Sequence, residues 1–236
     1  LLKRTNIAIT RGSTFDNEAN LAPTAIQQLK EKYANTRLGR QELYAEVLDD
    51  TEGALWSYGM LDKTRIEEAA LPDMSRVVVA IDPAVTNNEG SDETGIVVAG
   101  QGQDGRYYVL ADVSVKMSPD GWGRLAVDQY YKYEADRIVA ETNNGGDLVE
   151  RLLRNIDNTV PYTPVSPSRG KMVRAEPIAA LYEQGKVSHV GVFNELEEQL
   201  CTYTIGSRKP PDRLDALVWA LTELSQNTGQ AYWRIS

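Results

Sequence analysis

The run Arg76-Val77-Val78-Val79-Ala80-Ile81-Asp82 sets five apolar residues side by side, four of them β-branched, and closes on an acid. A continuous β-branched run predicts a strand covered on both faces, in the middle of a sheet. Two more strands follow, Gly95-Ile96-Val97-Val98-Ala99-Gly100 and Tyr107-Tyr108-Val109-Leu110-Ala111. A polar loop with Asn87, Asn88 and Gly90 joins the first two, and Gly102 to Gly105 joins the next pair. Such connections predict two successive hairpins and three antiparallel strands.

Beyond them, Trp122, Leu125, Ala126, Tyr130 and Tyr133 fall at helical spacing behind Pro119, predicting a helix from about Pro119 to Glu134. It feeds a fourth strand, Arg137-Ile138-Val139-Ala140-Glu141. A strand reached through a crossover helix should run parallel to one already in the sheet. Further helices are read at about Asp147 to Ile156, Ala175 to Gln184, Glu195 to Thr202 and Pro211 to Ser225. Short strands are expected near Tyr162 to Val165 and Val187 to Val190. Together these predict an α/β fold with a mixed, ribonuclease H-like sheet flanked by helices. The region before it is polar and helical in pattern, with Ile26, Leu29 and Tyr33 and then Leu38, Leu43, Val47 and Leu48. It has no strand-rich core of its own and is expected to be a helical arm, residues 1–70, leading into a domain over 71–236.

Composition removes several kinds of chemistry. The chain of 236 residues holds one Cys and one His, so an internal disulfide, a cysteine-rich zinc site and a histidine-based metal site are excluded or nearly so. Carboxylate is what remains. With 25 Lys and Arg against 34 Asp and Glu, the formal charge is −9, which argues mildly against a nucleic-acid partner. The bases nevertheless cluster: Arg151, Arg154, Arg169, Lys171 and Arg174 face the single acid Asp157, and Arg208, Lys209 and Arg213 form a second group. No apolar run reaches the roughly 18 residues of a membrane span, and Leu1 to Arg11 lacks a signal peptide's apolar stretch. A soluble, intracellular protein with no membrane partner is expected, and the start at Leu1 without Met suggests a piece of a longer chain.

Two buried strands end in acids, Asp82 and Glu141. If those strands are parallel neighbours, both carboxylates emerge at one C-terminal sheet edge, where α/β folds place ligands. Pro211-Asp212-Arg213-Leu214-Asp215 opens a helix, and the spacing of three sets Asp212 and Asp215 on one face. Oxygen donors from three separated segments suit Mg²⁺ or Mn²⁺, and two such ions about 4 Å apart can serve phosphodiester hydrolysis. Each acid has an ordinary alternative, since acids also initiate turns and favour helix N-termini. Their combination is what points to a metal site. Asp92 is a further candidate ligand, and Asn143 to Gly146 would let backbone approach a ligand closely.

These residues carry a family resemblance. Ile81-Asp82-Pro83-Ala84, Asp92-Glu93-Thr94-Gly95-Ile96, Ala140-Glu141-Thr142-Asn143-Asn144-Gly145-Gly146-Asp147, Arg174-Ala175-Glu176-Pro177 and Pro211-Asp212-Arg213-Leu214-Asp215-Ala216-Leu217-Val218-Trp219-Ala220, in that order, resemble the nuclease domain of large terminase subunits of tailed double-stranded DNA bacteriophages. Thr10 to Asn17, Leu38 to Leu43 and Glu52 to Trp56 resemble the stretch that joins the packaging ATPase to that nuclease. The resemblance implies a ribonuclease H-like endonuclease that cuts concatemeric DNA with two Mg²⁺ or Mn²⁺ ions. It implies Asp82, Glu141 and Asp215 as catalytic metal ligands, with Asp212 as a partner; many relatives have Asp where Glu141 stands. Residues 1–70 then correspond to the end of the ATPase region, and 71–236 to the nuclease. The implied partners are double-stranded DNA and, for the full-length protein, the portal and the small terminase subunit. The implied location is the host bacterial cytoplasm, transiently at the procapsid portal. The ATPase's phosphate loop has no counterpart, because Gly170-Lys171 is followed by Met and lacks the upstream Gly.

Lys171, Arg174, Arg169 and Arg213 are the candidate DNA-contacting residues, with Lys171 and Arg174 expected just before a helix. Trp56, Trp122 and Trp219 sit beside apolar helical spacing and read as core, His189 as a satisfied structural residue and Cys201 as a small buried hydrophobe. Three other readings remain open. Another ribonuclease H-like nuclease, such as a junction resolvase, would be confined to branched DNA. An actin-like or sugar-kinase-like ATP-binding domain would want a Gly-rich turn where Pro83 and Ala84 stand. A non-catalytic docking module would be stabilised by metal without cleaving anything.

Overall fold

The computed structural model describes residues 51–83, 93–142, 146–166, 170–205, 207 and 210–226. All belong to the unit Asp50–Ser236. The expected helices before residue 50, and the candidates Asp92 and Arg169, lie outside the described residues.

Six strands form one sheet: β1 (Met74–Asp82), β2 (Gly95–Gly102), β3 (Tyr107–Asp112), β4 (Arg137–Glu141), β5 (Tyr162–Val165) and β6 (Val187–His189). Their order is β5-β4-β1-β2-β3-β6. β1, β2 and β3 are antiparallel neighbours, whereas β4 joins β1, β5 joins β4 and β6 joins β3 in parallel. β1 is therefore central, and Val78 through Ile81 are fully buried, as a continuous apolar run requires.

Alternation along the strands assigns the two faces. Val77, Val79 and Ile81 of β1 and Ile138 and Ala140 of β4 share an apolar cluster with Trp122, Ala126 and Leu153. The last three come from helices α2 (Pro119–Lys132) and α3 (Gly146–Ile156). Helix α6 (Asp212–Gln226) packs on β1, β2 and β4 from the opposite side. The alternate residues Val78, Ala80 and Asp82, with Val139 and Glu141, therefore turn toward α6. Leu214, Leu217, Leu221 and Leu224 are its buried stripe.

A short helix α1 (Tyr58–Thr64), together with α4 (Lys171–Glu183) and α5 (Asn194–Thr202), completes the set. Trp56, Tyr58 and Leu61 lie on the arm side of the expected boundary at residue 70, yet they are buried in this unit. Trp56 meets Tyr182 edge to face, with ring centroids 6.0 Å apart. His189 is held on both sides: its Nδ1 donates to the Glu197 carboxylate at 2.9 Å, and its Nε2 shares a 2.9 Å hydrogen bond with the Tyr182 hydroxyl. Burial pushes the Glu197 carboxyl up, but His189 and Arg65 outweigh it and hold the pKa down at about 2. His189 and Cys201 are thus structural, as their context suggested.

How close α6 comes to the sheet is set by Gly95. A Cβ built there would stand 2.0 Å from the carbonyl oxygen of Asp212 and 3.2 Å from Ala216 Cβ. The backbone of α6 cannot yield without moving its whole first turn. Gly95→Ala should therefore cost about 1–3 kcal/mol of stability, measured by urea unfolding, through overpacking. Parent-like stability would show that α6 can retreat freely.

Candidate metal centre

Asp82 ends β1, Glu141 ends β4, and Asp215 lies in the first turn of α6. The parallel register pairs Ala80 with Val139 and Ile81 with Ala140, so Asp82 and Glu141 close adjacent strands at the same edge. Both point to the α6 side, where Asp215 comes down on them. Asp82, Glu141 and Asp215 are all buried. Their proximity appears in their acidity: burial first, then the charges of Asp215 and Glu141, push the Asp82 carboxyl well above its usual range, and Asp212 adds to this. Burial also raises Asp215, while Lys171 and Arg174 oppose the rise.

Two bases counter these four acids. Lys171 Nζ hydrogen-bonds Asp215 Oδ2, and Arg174 Nη2 lies 3.5 Å from both Asp215 Oδ1 and Glu141 Oε2. Burial works against the Lys171 charge, but Asp215 outweighs it and raises the ammonium pKa. Helix α4 begins at Lys171, four residues before the expected start, so Lys171 and Arg174 sit within its first turn rather than ahead of it. Their spacing of three puts both on one helix face, toward the acids.

Sequence reading missed one participant. Trp219 is buried, as expected of a core residue, but its Nε1 donates to Glu141 Oε2 at 2.7 Å, and the Arg174 guanidinium lies 4.6 Å from its ring centroid. The available signal was its i+4 spacing from Asp215 on α6.

Arg213 does not join the group. Its guanidinium is only 8% exposed and grips Glu93 through Nε and Nη2, both at 2.7 Å, and Asp112 through Nη1 at 2.6 Å; Glu195 completes the shell. The expectation of a phosphate contact does not fit this geometry, which ties α6 to the starts of β2 and α5 and the end of β3. Gln199 Oε1 accepts from the backbone N–H of Arg213 and Leu214 at 3.1 and 3.3 Å, serving the helix's unpaired first-turn donors from α5.

Among the described residues no three His, Cys, Asp or Glu side chains are arranged to enclose a metal ion. The donor chemistry fits one nonetheless. Three buried carboxylates from three elements stand against two bases, Lys171 and Arg174. All-oxygen ligation is what hard divalent ions prefer.

A mixed sheet with this strand order defines a ribonuclease H-like domain. The family profile described as the terminase RNase H-like domain matches residues 79–224, more than half of the chain. The chain belongs to that family. Its fold is similar to the human cytomegalovirus terminase nuclease domain (TM-score 0.53, 14% identity, covering 70% of this chain and 93% of that one). It is also similar to the large terminase nuclease from thermophilic phage G20c (TM-score 0.51, 17% identity, 72% and 98% covered). A third relative is a lysine-to-alanine variant of the nuclease domain of the large terminase subunit of bacterial virus Sf6, solved with manganese and beta-thujaplicinol (TM-score 0.54, 12% identity, 71% and 98% covered). Comparison by sequence with curated proteins finds no match.

Two substitutions separate structure from chemistry. Because the folded-state pKa of Asp82 lies above the ordinary 3.8, the fold is most favoured below that pH and loses stability as pH rises through the raised value. In chelator, Asp82→Asn should therefore be more stable than the parent at pH 7 by about 0.5–2 kcal/mol, with the advantage gone below the unfolded value. An unchanged melting temperature at pH 7 would contradict the strain. Arg213→Ala should cost about 3 kcal/mol, because it leaves the Asp112 carboxylate, only 4% exposed, without its counter-charge. A folded, equally stable variant with weakened DNA binding would return Arg213 to the interface.

Proposed function

We propose that residues 71–236 are the Mg²⁺- or Mn²⁺-dependent endonuclease of a phage DNA-packaging terminase, cleaving concatemeric double-stranded DNA, with 1–70 as the linker to an ATPase region. The observation that carries this reading is the convergence of Asp82, Glu141 and Asp215 from β1, β4 and α6 on one buried edge of the sheet. Asp82, Glu141 and Asp215 would hold the ions, with Asp212 at the margin and Asp92 as a further donor. When bound, a pair of such ions supplies an activated water and stabilises the leaving oxygen of a phosphodiester.

The chain's own residues do the rest. Burial of the carboxylates keeps bulk water from competing for their oxygens, and Glu141 is held by Trp219 and Arg174. Lys171, with a side chain 41% exposed, stands at the rim of the acids, where a phosphate would meet it. Lys171, Arg174 and Arg169 are the proposed phosphate contacts. They read charge rather than base sequence, so low sequence specificity and a steep salt dependence are expected. The portal and the small terminase subunit are the proposed partners of the full-length protein, in the host bacterial cytoplasm and at the procapsid. No helix among the described residues is long and apolar enough to cross a membrane.

A second reading has one observation in its favour. Lys171 and Arg174 already compensate Asp215 and Glu141, so the acids could be structural in a docking module that cuts nothing.

Nicking of supercoiled plasmid in Mn²⁺ separates the two. Asp82→Ala and Asp215→Asn should each lower the rate by more than the roughly 10–100-fold expected for a mere supporting residue. Undiminished nicking by either folded variant overturns the site. Metal that raises the melting temperature of the parent without any cleavage favours the docking module.

A further inference from the structure

Glu141 is a candidate ligand held by a neutral donor. Both of its side-chain contacts among the described residues fall on Oε2: the indole N–H of Trp219 at 2.7 Å and Arg174 Nη2 at 3.5 Å. Trp219 and Glu141 are each only 6% exposed, so the hydrogen bond is shielded from competing water. A buried indole N–H needs an acceptor, but a backbone carbonyl would have satisfied it. Pairing it with a carboxylate orients that carboxylate without adding a positive charge that would repel a cation. Arg174 stacked at 4.6 Å from the ring centroid in turn restricts how the indole can tilt.

We infer that Trp219 is a positioning residue for Glu141: its N–H fixes the carboxylate through Oε2, leaving Oε1 as the oxygen offered to a divalent cation. Partners of this kind orient metal ligands and set their affinity in metal sites generally. The inference rests on the proposed role of Glu141 as a ligand. Trp219 touches neither DNA nor ion in this scheme and acts only through Glu141.

The test is calorimetric titration of Mn²⁺ into the 236-residue chain, independent of cleavage. Five proteins are compared: the parent, Trp219→Phe, Glu141→Gln, the double variant that combines those two, and the chain carrying 3-benzothienylalanine at position 219. That residue replaces the indole N–H with sulfur while keeping its shape and stacking, so it decides the matter if Trp219→Phe fails to fold. Both replacements at 219 should weaken Mn²⁺ binding by about 10–100-fold. Glu141→Gln should weaken it at least as much, and adding Trp219→Phe to Glu141→Gln should cost nothing further. Parent-like affinity in the sulfur-bearing chain, with binding lost in Glu141→Gln, overturns the positioning role and leaves the ligand assignment standing. Parent-like affinity in Glu141→Gln, or no Mn²⁺ binding by the parent, overturns the ligand assignment and this inference with it.

Discussion

The parallel pairing of β1 with β4 in a single register is the constraint on which the site depends. With Ala80 opposite Val139, the next residues on the same side are Asp82 and Glu141, and both face α6. Side chains alternate with a period of two, so a slip of one residue in β4 would turn Glu141 toward α2 and the apolar cluster of Trp122 and Ala126. The carboxylate could not be tolerated there. Burial of Ile138 and Ala140 on that side and burial of Glu141 against α6 therefore enforce the same register from opposite faces.

Bringing the acids together opposes folding. Asp82 is held where its ionised form is disfavoured, first by loss of water and then by the like charges of Asp215, Glu141 and Asp212. Lys171 and Arg174 reduce this repulsion without abolishing it, since Asp215 too remains raised above its ordinary value. The strain is borne by the rest of the domain: the leucine stripe of α6, the β1–β2 ladder and the Arg213 cluster all press the first turn of α6 onto the sheet. Local destabilisation supported by a rigid surround is common where residues are placed for chemistry rather than for packing.

Much of this was legible in the sequence, for identifiable reasons. The strands stood out because their apolar runs are continuous, and the crossover through α2 predicted the parallel neighbour. The same continuity concealed which way the acids point, because a strand buried on both faces shows no polar alternation to read. The start of α4 was misplaced for a related reason. The helix opens at Gly170 with no capping side chain to announce it, and Pro177 lies inside it. Arg213 looked like any surface base, since its partners Glu93 and Asp112 are 120 and 101 residues away in the chain. Trp219 was correctly read as buried; its hydrogen bond spans 78 residues, and its only local trace is the i+4 spacing from Asp215.

The Arg213 cluster also governs the angular setting of α6. Successive residues of a helix are about 100° apart around its axis. Anchoring one guanidinium to Glu93, Asp112 and Glu195 therefore fixes the direction in which its neighbours Asp212 and Asp215 project. Leucine packing alone tolerates some rolling of a helix on a sheet, because apolar contact is not directional. A fork of directed ion pairs at the first turn removes that freedom where the acids are. The clamp behaves as a rotational stop, and the aim of Asp215 at the sheet edge is inherited from charges that lie on the far side of the same turn.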